Sequence, residues 1–304
     1  MESWISDYLA NGLSGAVPSM AVSAFRVVLA VAVLAKFTAD HRNGAWTFLR
    51  ADGFVGYRHR RAHPRVTPSV GLYRVLYVGK FVAAGCLLLG VVPQIAAAAV
   101  TLWLFFELTF DEENHTSLLA ICALLLSLSP GAADCLTWRT VLNGAREGFA
   151  VAVEAERASV TDPFVQLLIV ILVTQMYLAT ALRKIRSADF RSGRLLHRVA
   201  EHLTLVSDEL PQRQSWFPRW FVRGFALGDH DRLSARWRPA ALATISLEVL
   251  VPAGLYFPAT WPFAAAMGVA MHVGFGFLLP ARLTSFGLAS VGTYLVFASP
   301  LTAP

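Results

Sequence analysis

Charge is scarce in this sequence: Asp, Glu, Lys and Arg make up 15% of its 304 residues, where a soluble domain usually carries about 25%. That deficit argues against water as the main solvent. No long polar stretch exists from which a separate soluble domain could be built, so a single domain is expected over 1–304 with its core at 20–298. Cysteine is nearly missing as well. Cys86 and Cys122 lie inside apolar segments and read as small packing residues, and Cys135 has no obvious loop partner, so a disulfide framework is not expected. No Cys/His zinc spacing occurs, and no HExxH run falls in the apolar segments. His197 and His202 are five apart and share a helix face poorly, so no metal is expected. A cleavable leader is not expected either, because Glu2 and Asp7 precede an apolar run that holds Arg26 and leads into further spans.

What the chain has in abundance is apolar surface: 56% of residues are hydrophobic and the mean hydropathy is +0.53. The net charge of +6 raises nucleic acid as a partner. However, the basic residues fall mainly between the apolar segments, as they do in membrane proteins, so lipid is expected and nucleic acid is not.

Runs of about 17–25 apolar residues mark membrane spans. Candidates are Met20–Phe37, Leu72–Val92, Ile95–Phe110, the short His115–Leu128, Phe164–Leu182, Ala240–Phe257, Trp261–Leu279 and Leu283–Phe297. Pro93, Pro258 and Pro280 sit at tight connections, where a missing backbone donor is harmless. The expected fold is therefore all-α: a polytopic integral membrane helical bundle of about eight transmembrane helices. Arg42, Arg50, Arg58, Arg60, Arg61 and Arg65 follow the first span, and a richer arginine series from Arg186 to Arg238 follows the fifth. With eight spans both loops fall on one side, which the positive-inside rule makes cytoplasmic. The charge-balanced segment Gly131–Asp162 and both termini are then extracytoplasmic, in a plasma-membrane protein. Between Gln214 and Trp237 the mixture of Trp216, Trp220, Trp237, Phe217 and Phe221 with arginines predicts interfacial helices lying flat in the headgroup layer.

Ionisable groups at membrane depth are penalised by about 2.5–3.5 kcal/mol each, so they mark sites or structural pairs. Arg26, Glu107, His115, Lys184, Glu248 and His272 are the candidates. Arg26 is expected to be structural, with Glu107 as its partner, and Glu248 to fix helix packing. Asn114 and His115 open the fourth span, and Arg183 and Lys184 close the fifth. Consecutive spans run antiparallel, so these two ends lie on one membrane side, with His272 in the seventh span within reach. A lysine facing a desolvated pocket is a candidate general base, because low dielectric disfavours its ammonium form. The plainer reading is a lysine snorkelling to the headgroups.

Three ordered stretches resemble a known family. The run FDEENHTSLLAICALLL resembles the Asn-His span start of vitamin K-dependent γ-carboxylase and its bacterial relatives, the HTTM (horizontally transferred transmembrane) proteins. QMYLATALRKIRSADFRSG is similar to that family's lysine-terminated span, although Phe190 stands where the family often has tryptophan. LEVLVPAGLYFP and AMHVGFGFLLPARLTSFGLASVGTYLVF match its glutamate-containing, histidine-containing and closing spans. The resemblance covers most of Ala21–Phe297. It implies a membrane enzyme in which Lys184 deprotonates a reduced quinone, a vitamin K hydroquinone-like cofactor, and Asn114 and His115 orient or stabilise the oxyanion. His272, Glu248, Arg183 and Tyr177 would line the quinone pocket. Quinol epoxidation by dioxygen then generates a strong base that removes a proton from a peptide or small molecule, with carbon dioxide as a further co-substrate where the product is carboxylated. The competing expectations are a non-catalytic HTTM accessory protein for the maturation or export of a secreted peptide, and a small-solute transporter. The last is less attractive because no internal repeat is visible.

Overall fold

The computed structural model describes residues 17–42, 70–108, 114–129, 135–157, 159–206, 219–278 and 280–297. In chain order the elements are β1 (Val17–Pro18), α1 (Met20–Arg42), α2 (Val70–Leu89), α3 (Pro93–Leu108), α4 (Asn114–Ser127), α5 (Trp138–Glu147), α6 (Phe149–Arg157), β2 (Val160–Thr161), α7 (Phe164–Arg186), α8 (Ala188–Arg191), α9 (Arg194–Val206), α10 (Arg219–Phe221) running into a π-helical stretch (Val222–Ala226), α11 (His230–Leu255), α12 (Trp261–Leu278) and α13 (Pro280–Thr293), which ends in a 3₁₀ turn (Tyr294–Val296). The fold is all-α apart from the two-residue antiparallel pair of β1 with β2, in which Val17 faces Thr161 and Pro18 faces Val160.

Among the described residues, each of the apolar segments read from the sequence lies largely on a helix. Four helices, Met20–Arg42, Gly71–Leu89, Phe164–Arg186 and His230–Leu255, are long and apolar enough to cross a membrane. At 1.5 Å per residue, a helix of 23 residues extends about 34 Å, enough for a hydrocarbon core of about 30 Å. The other apolar helices, Pro93–Leu108, His115–Ser127, Trp261–Phe277 and Leu283–Val296, have 10–17 residues. Polarity is inverted relative to a soluble protein. Arg26, Lys80, Glu248 and His272 are buried, while Leu102 and Phe263 are each 73% exposed and Val75 is 69% exposed. Apolar side chains that point outward over buried charges are what lipid as solvent requires.

The chain divides into two compact units, Met1–Ile169 with Leu288–Pro304, and Val170–Gly287. In the first unit α1 is the central helix, packed against α2, α4 and the 3₁₀ turn. Phe25, Leu29, Val33 and Phe37 recur every four residues along it and are fully buried. Arg26 lies among them, also fully buried. Its Nη1 donates to Leu87 O and, at 3.1 Å, to Leu88 O; its Nη2 donates to Cys135 O at 3.0 Å and Leu136 O at 2.7 Å. The guanidinium thus joins carbonyls at the end of α2 to those of the segment before α5. Glu107, its expected partner, pairs with two lysines instead. Leu136 adopts a left-handed φ of 53°, which turns its carbonyl to Arg26 while its N–H meets Glu156 Oε2 at 2.6 Å.

The segment expected to be a charge-balanced loop after the fourth span contains α5 and α6. Thr137 caps α5 and forms a reciprocal capping box with Thr140, a start signal that the span search passed over.

In the second unit α11 packs against α9 and α12. α7 ends in Arg183, Lys184 and Arg186, cations that suit the negative end of the helix dipole. Ser187 then caps α8 by accepting from Phe190 N at 3.1 Å. Of the expected interfacial stretch, Trp216 and Phe217 lie outside the described residues. Trp220 and Phe221 form part of α10, but Trp237 belongs to the long helix α11, where it is buried and its indole N–H donates to Phe225 O at 2.9 Å.

Candidate functional site

In the second unit, α7, α11 and α12 enclose an ionisable pair. Lys184 stands in the last turn of α7, and its Nζ forms an ion pair with Glu248 Oε1 from the C-terminal third of α11. The Glu248 side chain is 5% exposed and that of Lys184 is 23% exposed. The ammonium also faces aromatic rings, with Nζ 5.4 Å from the centroid of Phe190 and 5.9 Å from that of Phe275. Phe190 is brought there by the cap at Ser187, and Phe275 lies one turn beyond His272 on α12.

His272 joins the same wall. Its Nε2 is 2.7 Å from the hydroxyl of Tyr177, which precedes Lys184 by two helical turns and so shares its face of α7. The imidazole is buried, and its Nδ1 makes no hydrogen bond among the described residues. Phe275 and Phe286 pack edge-on against the ring at 6.0 and 5.7 Å. Charge, hydrogen-bonding groups and flat apolar surfaces are therefore grouped within the second unit. Four of the residues named from the sequence, Tyr177, Lys184, Glu248 and His272, lie within this group. Arg183 is exposed on α7. His115 is half-buried on α4 in the first unit. Asn114 is the first residue of that helix, and its side chain lies outside the described residues.

A second cluster, in the first unit, joins Glu107, a candidate from the sequence, to Lys36, Asp40 and Lys80, which are not among those candidates. Lys80 of α2 is 3% exposed. Its Nζ lies 4.5 Å from the Phe37 ring centroid, 4.4 Å from Tyr77, 4.9 Å from Trp103 and 5.5 Å from Phe81. Glu107 of α3 reaches Lys80 at 3.3 Å and Lys36 of α1 at 3.2 Å, and Trp103 donates its indole N–H to the same carboxylate. Lys36 also pairs with Asp40 at 2.8 Å. Two cations and two anions thus neutralise one another inside a cage of rings, the arrangement that makes buried charge tolerable. The available signal was the i,i+4 spacing of Lys36 and Asp40, together with a lysine in the middle of an apolar run.

Comparison with protein-family models, with curated proteins and with solved structures gives no match to this chain. Fold and site define a class only: a helical protein with helices able to cross a membrane and ionisable pairs held inside the helix packing.

Proposed function

We propose that this chain is a plasma-membrane enzyme of the HTTM type, related in mechanism to vitamin K-dependent γ-carboxylase. It would cross the membrane about eight times, with both termini extracytoplasmic. The observation that carries this reading is the enclosed Lys184–Glu248 pair beside Phe190 and Phe275. A buried ion pair is weak evidence for stability, since apolar residues of similar volume often serve as well, so its retention at membrane depth favours chemistry. The lysine also stands where the family resemblance puts the base.

A reduced quinone would supply a weakly acidic hydroxyl and the electrons that dioxygen consumes. Phe190 and Phe275 offer flat apolar surfaces to a ring of that kind, and Tyr177 with His272 offers a hydrogen-bonding edge. Lys184 provides the base. To act so its Nζ must be uncharged when the substrate arrives, and Glu248 is the group placed to take that proton. After the amine takes the substrate proton, the ammonium stays beside the negative charge it has created and stabilises it. The downstream target is a peptide or a small molecule, with carbon dioxide as a further reactant where carboxylation follows.

The test is incubation of detergent-purified protein with a naphthoquinol under dioxygen, with epoxide followed by mass spectrometry. Wild type is expected to form epoxide, and Lys184→Ala to lose at least 100-fold of that rate, about 2.7 kcal/mol of transition-state stabilisation. Intact quinol after incubation with folded wild type would overturn the enzyme reading and leave a non-catalytic role in maturing or exporting a secreted peptide.

A further inference from the structure

Away from the apolar helices, the second unit gathers three side chains of metal-ligand chemistry. His197 and Glu201 are one turn apart on α9 and share a face. Beside it on α9, Ala200 enters a small core with Ala226 and Trp237, against which Leu196, Phe221 and Phe225 pack. That packing holds the ligand-bearing face toward the start of α11. There His230 is the first helical residue, fixed by Asp229, whose Oδ1 accepts from Asp231 N at 2.9 Å and Arg232 N at 3.2 Å.

His197 is fully buried, so its ring is set by its surroundings. Its Nδ1 lies 3.1 Å from His230 Nδ1, with the rings nearly perpendicular at 88°. His230 Nε2 is 3.4 Å from Glu201 Oε2. One donor atom from each residue falls within 4.8 Å of the other two. The Nδ1–Nδ1 separation suits an ion shared by the two imidazoles. Two imidazole nitrogens at about 2.0–2.1 Å from one zinc-class ion stand about 2.9 Å apart at a right angle and about 3.4 Å apart at the tetrahedral angle. The observed 3.1 Å lies between them. Glu201 meets the other ring nitrogen of His230, at 3.4 Å, a contact long for a hydrogen bond; the carboxylate turns from it to join the ion, and one donor atom of each residue already lies within 4.8 Å of the other two.

We propose that His197, His230 and Glu201 bind one divalent transition-metal ion of the zinc class. Two imidazoles and one carboxylate favour zinc, cobalt or nickel over magnesium or calcium, which prefer all-oxygen shells. The side chains of His230 and Glu201 are 57% and 27% exposed, which gives the ion a path in and leaves a position for water. The ion ties α9 to α11 across the chain between Val206 and His230. Sequence spacing concealed the site because His202, the neighbouring histidine, is not in it; Glu201 takes the second position on α9.

The test uses full-length, tag-free protein in detergent, stripped with a chelator and titrated with Co²⁺ and then Zn²⁺. One saturable equivalent per chain is expected, with visible Co²⁺ bands of nitrogen and oxygen coordination and a rise in Tm on adding Zn²⁺. His230→Gln, at a half-exposed position that leaves the helix packing intact, should weaken binding at least tenfold, and Glu201→Gln should do the same. Absence of a saturable equivalent in wild type, or an equivalent that His230→Gln leaves unchanged, overturns the site. Neither readout depends on quinol chemistry, so this proposal and the enzyme reading fail separately.

Discussion

Lys184 and Glu248 lie 64 residues apart in the chain and meet as an ion pair between the end of α7 and the C-terminal third of α11. Removing one partner leaves the other as an uncompensated charge in a dry setting. Lys184→Met is therefore expected to lower stability by about 3 kcal/mol, because the Glu248 carboxylate has almost no access to water. The double change Lys184→Met with Glu248→Leu should recover most of that loss. Quinol turnover should vanish in both variants. Unfolding in detergent with increasing SDS measures the first quantity and epoxide formation the second. A double variant as unstable as the single one would mean that the pair itself, rather than the orphaned charge, dominates the energetics.

The Lys36–Asp40–Lys80–Glu107 cluster yields an ordering of effects. Glu107 serves both lysines. Glu107→Gln leaves two ammonium groups with Asp40 as the remaining acid, and is expected to cost about 3 kcal/mol. Lys80→Met removes cation–π contacts worth about 2 kcal/mol but relieves a buried charge and leaves Glu107 paired with Lys36, so its net cost should be smaller. Thermal unfolding of the two variants checks the order. Equal losses would show that the two lysines are not coupled through Glu107.

The topology proposed from arginine bias can be tested on one unit alone. Arg198 on α9 and Ala259 in the turn between α11 and α12 are both exposed. If α11 crosses the membrane, they stand on opposite sides. In intact cells Ala259→Cys should react with an impermeant thiol reagent, and Arg198→Cys should react only after permeabilisation. The reverse pattern would invert the orientation; reaction of both from one side would remove α11 from the spans.

Much of this architecture was legible because lipid makes apolar runs unambiguous. The fifth candidate, Phe164–Leu182, begins at the first residue of α7, and the seventh, Trp261–Leu279, ends one residue beyond α12. α11 starts ten residues before the apolar run because a polar opening, capped by Asp229, extends it beyond the part that hydropathy detects. The helices α5 and α6 carry ordinary polar residues and capping signals, which a search for spans ignores. Within the site, Lys184, Glu248 and His272 stood out as ionisable groups in apolar runs. Their pairings were not legible: Arg26 found backbone carbonyls rather than a carboxylate, and Glu107 found lysines. Partner choice in a helix bundle depends on rotation about each helix axis, and a fully apolar helix leaves that rotation almost unmarked in sequence. The His197–His230 contact spans 33 residues, so no local spacing could announce it.

Gly193 offers the sharpest check on how α9 is seated. Its φ of +83° is in the left-handed region, which disfavours any side chain by about 1 kcal/mol. Added to this is a steric cost, since a methyl at this position would lie 2.3 Å from Ser234 O and 2.6 Å from Arg238 N. Both are backbone atoms of α11, so relief requires the two helices to part rather than a side chain to turn. Gly193→Ala is expected to cost about 3 kcal/mol or more, measured as detergent-phase unfolding. Gly274→Ala is the matched control, because a methyl there meets nothing within 4 Å and should raise helix stability by about 1 kcal/mol or less. Parting α9 from α11 also separates His197 and Glu201 from His230. Gly193→Ala protein that remains folded should therefore lose Zn²⁺ affinity while Gly274→Ala keeps it. A folded Gly193→Ala variant with undiminished affinity would show that the ligand set does not depend on this helix contact.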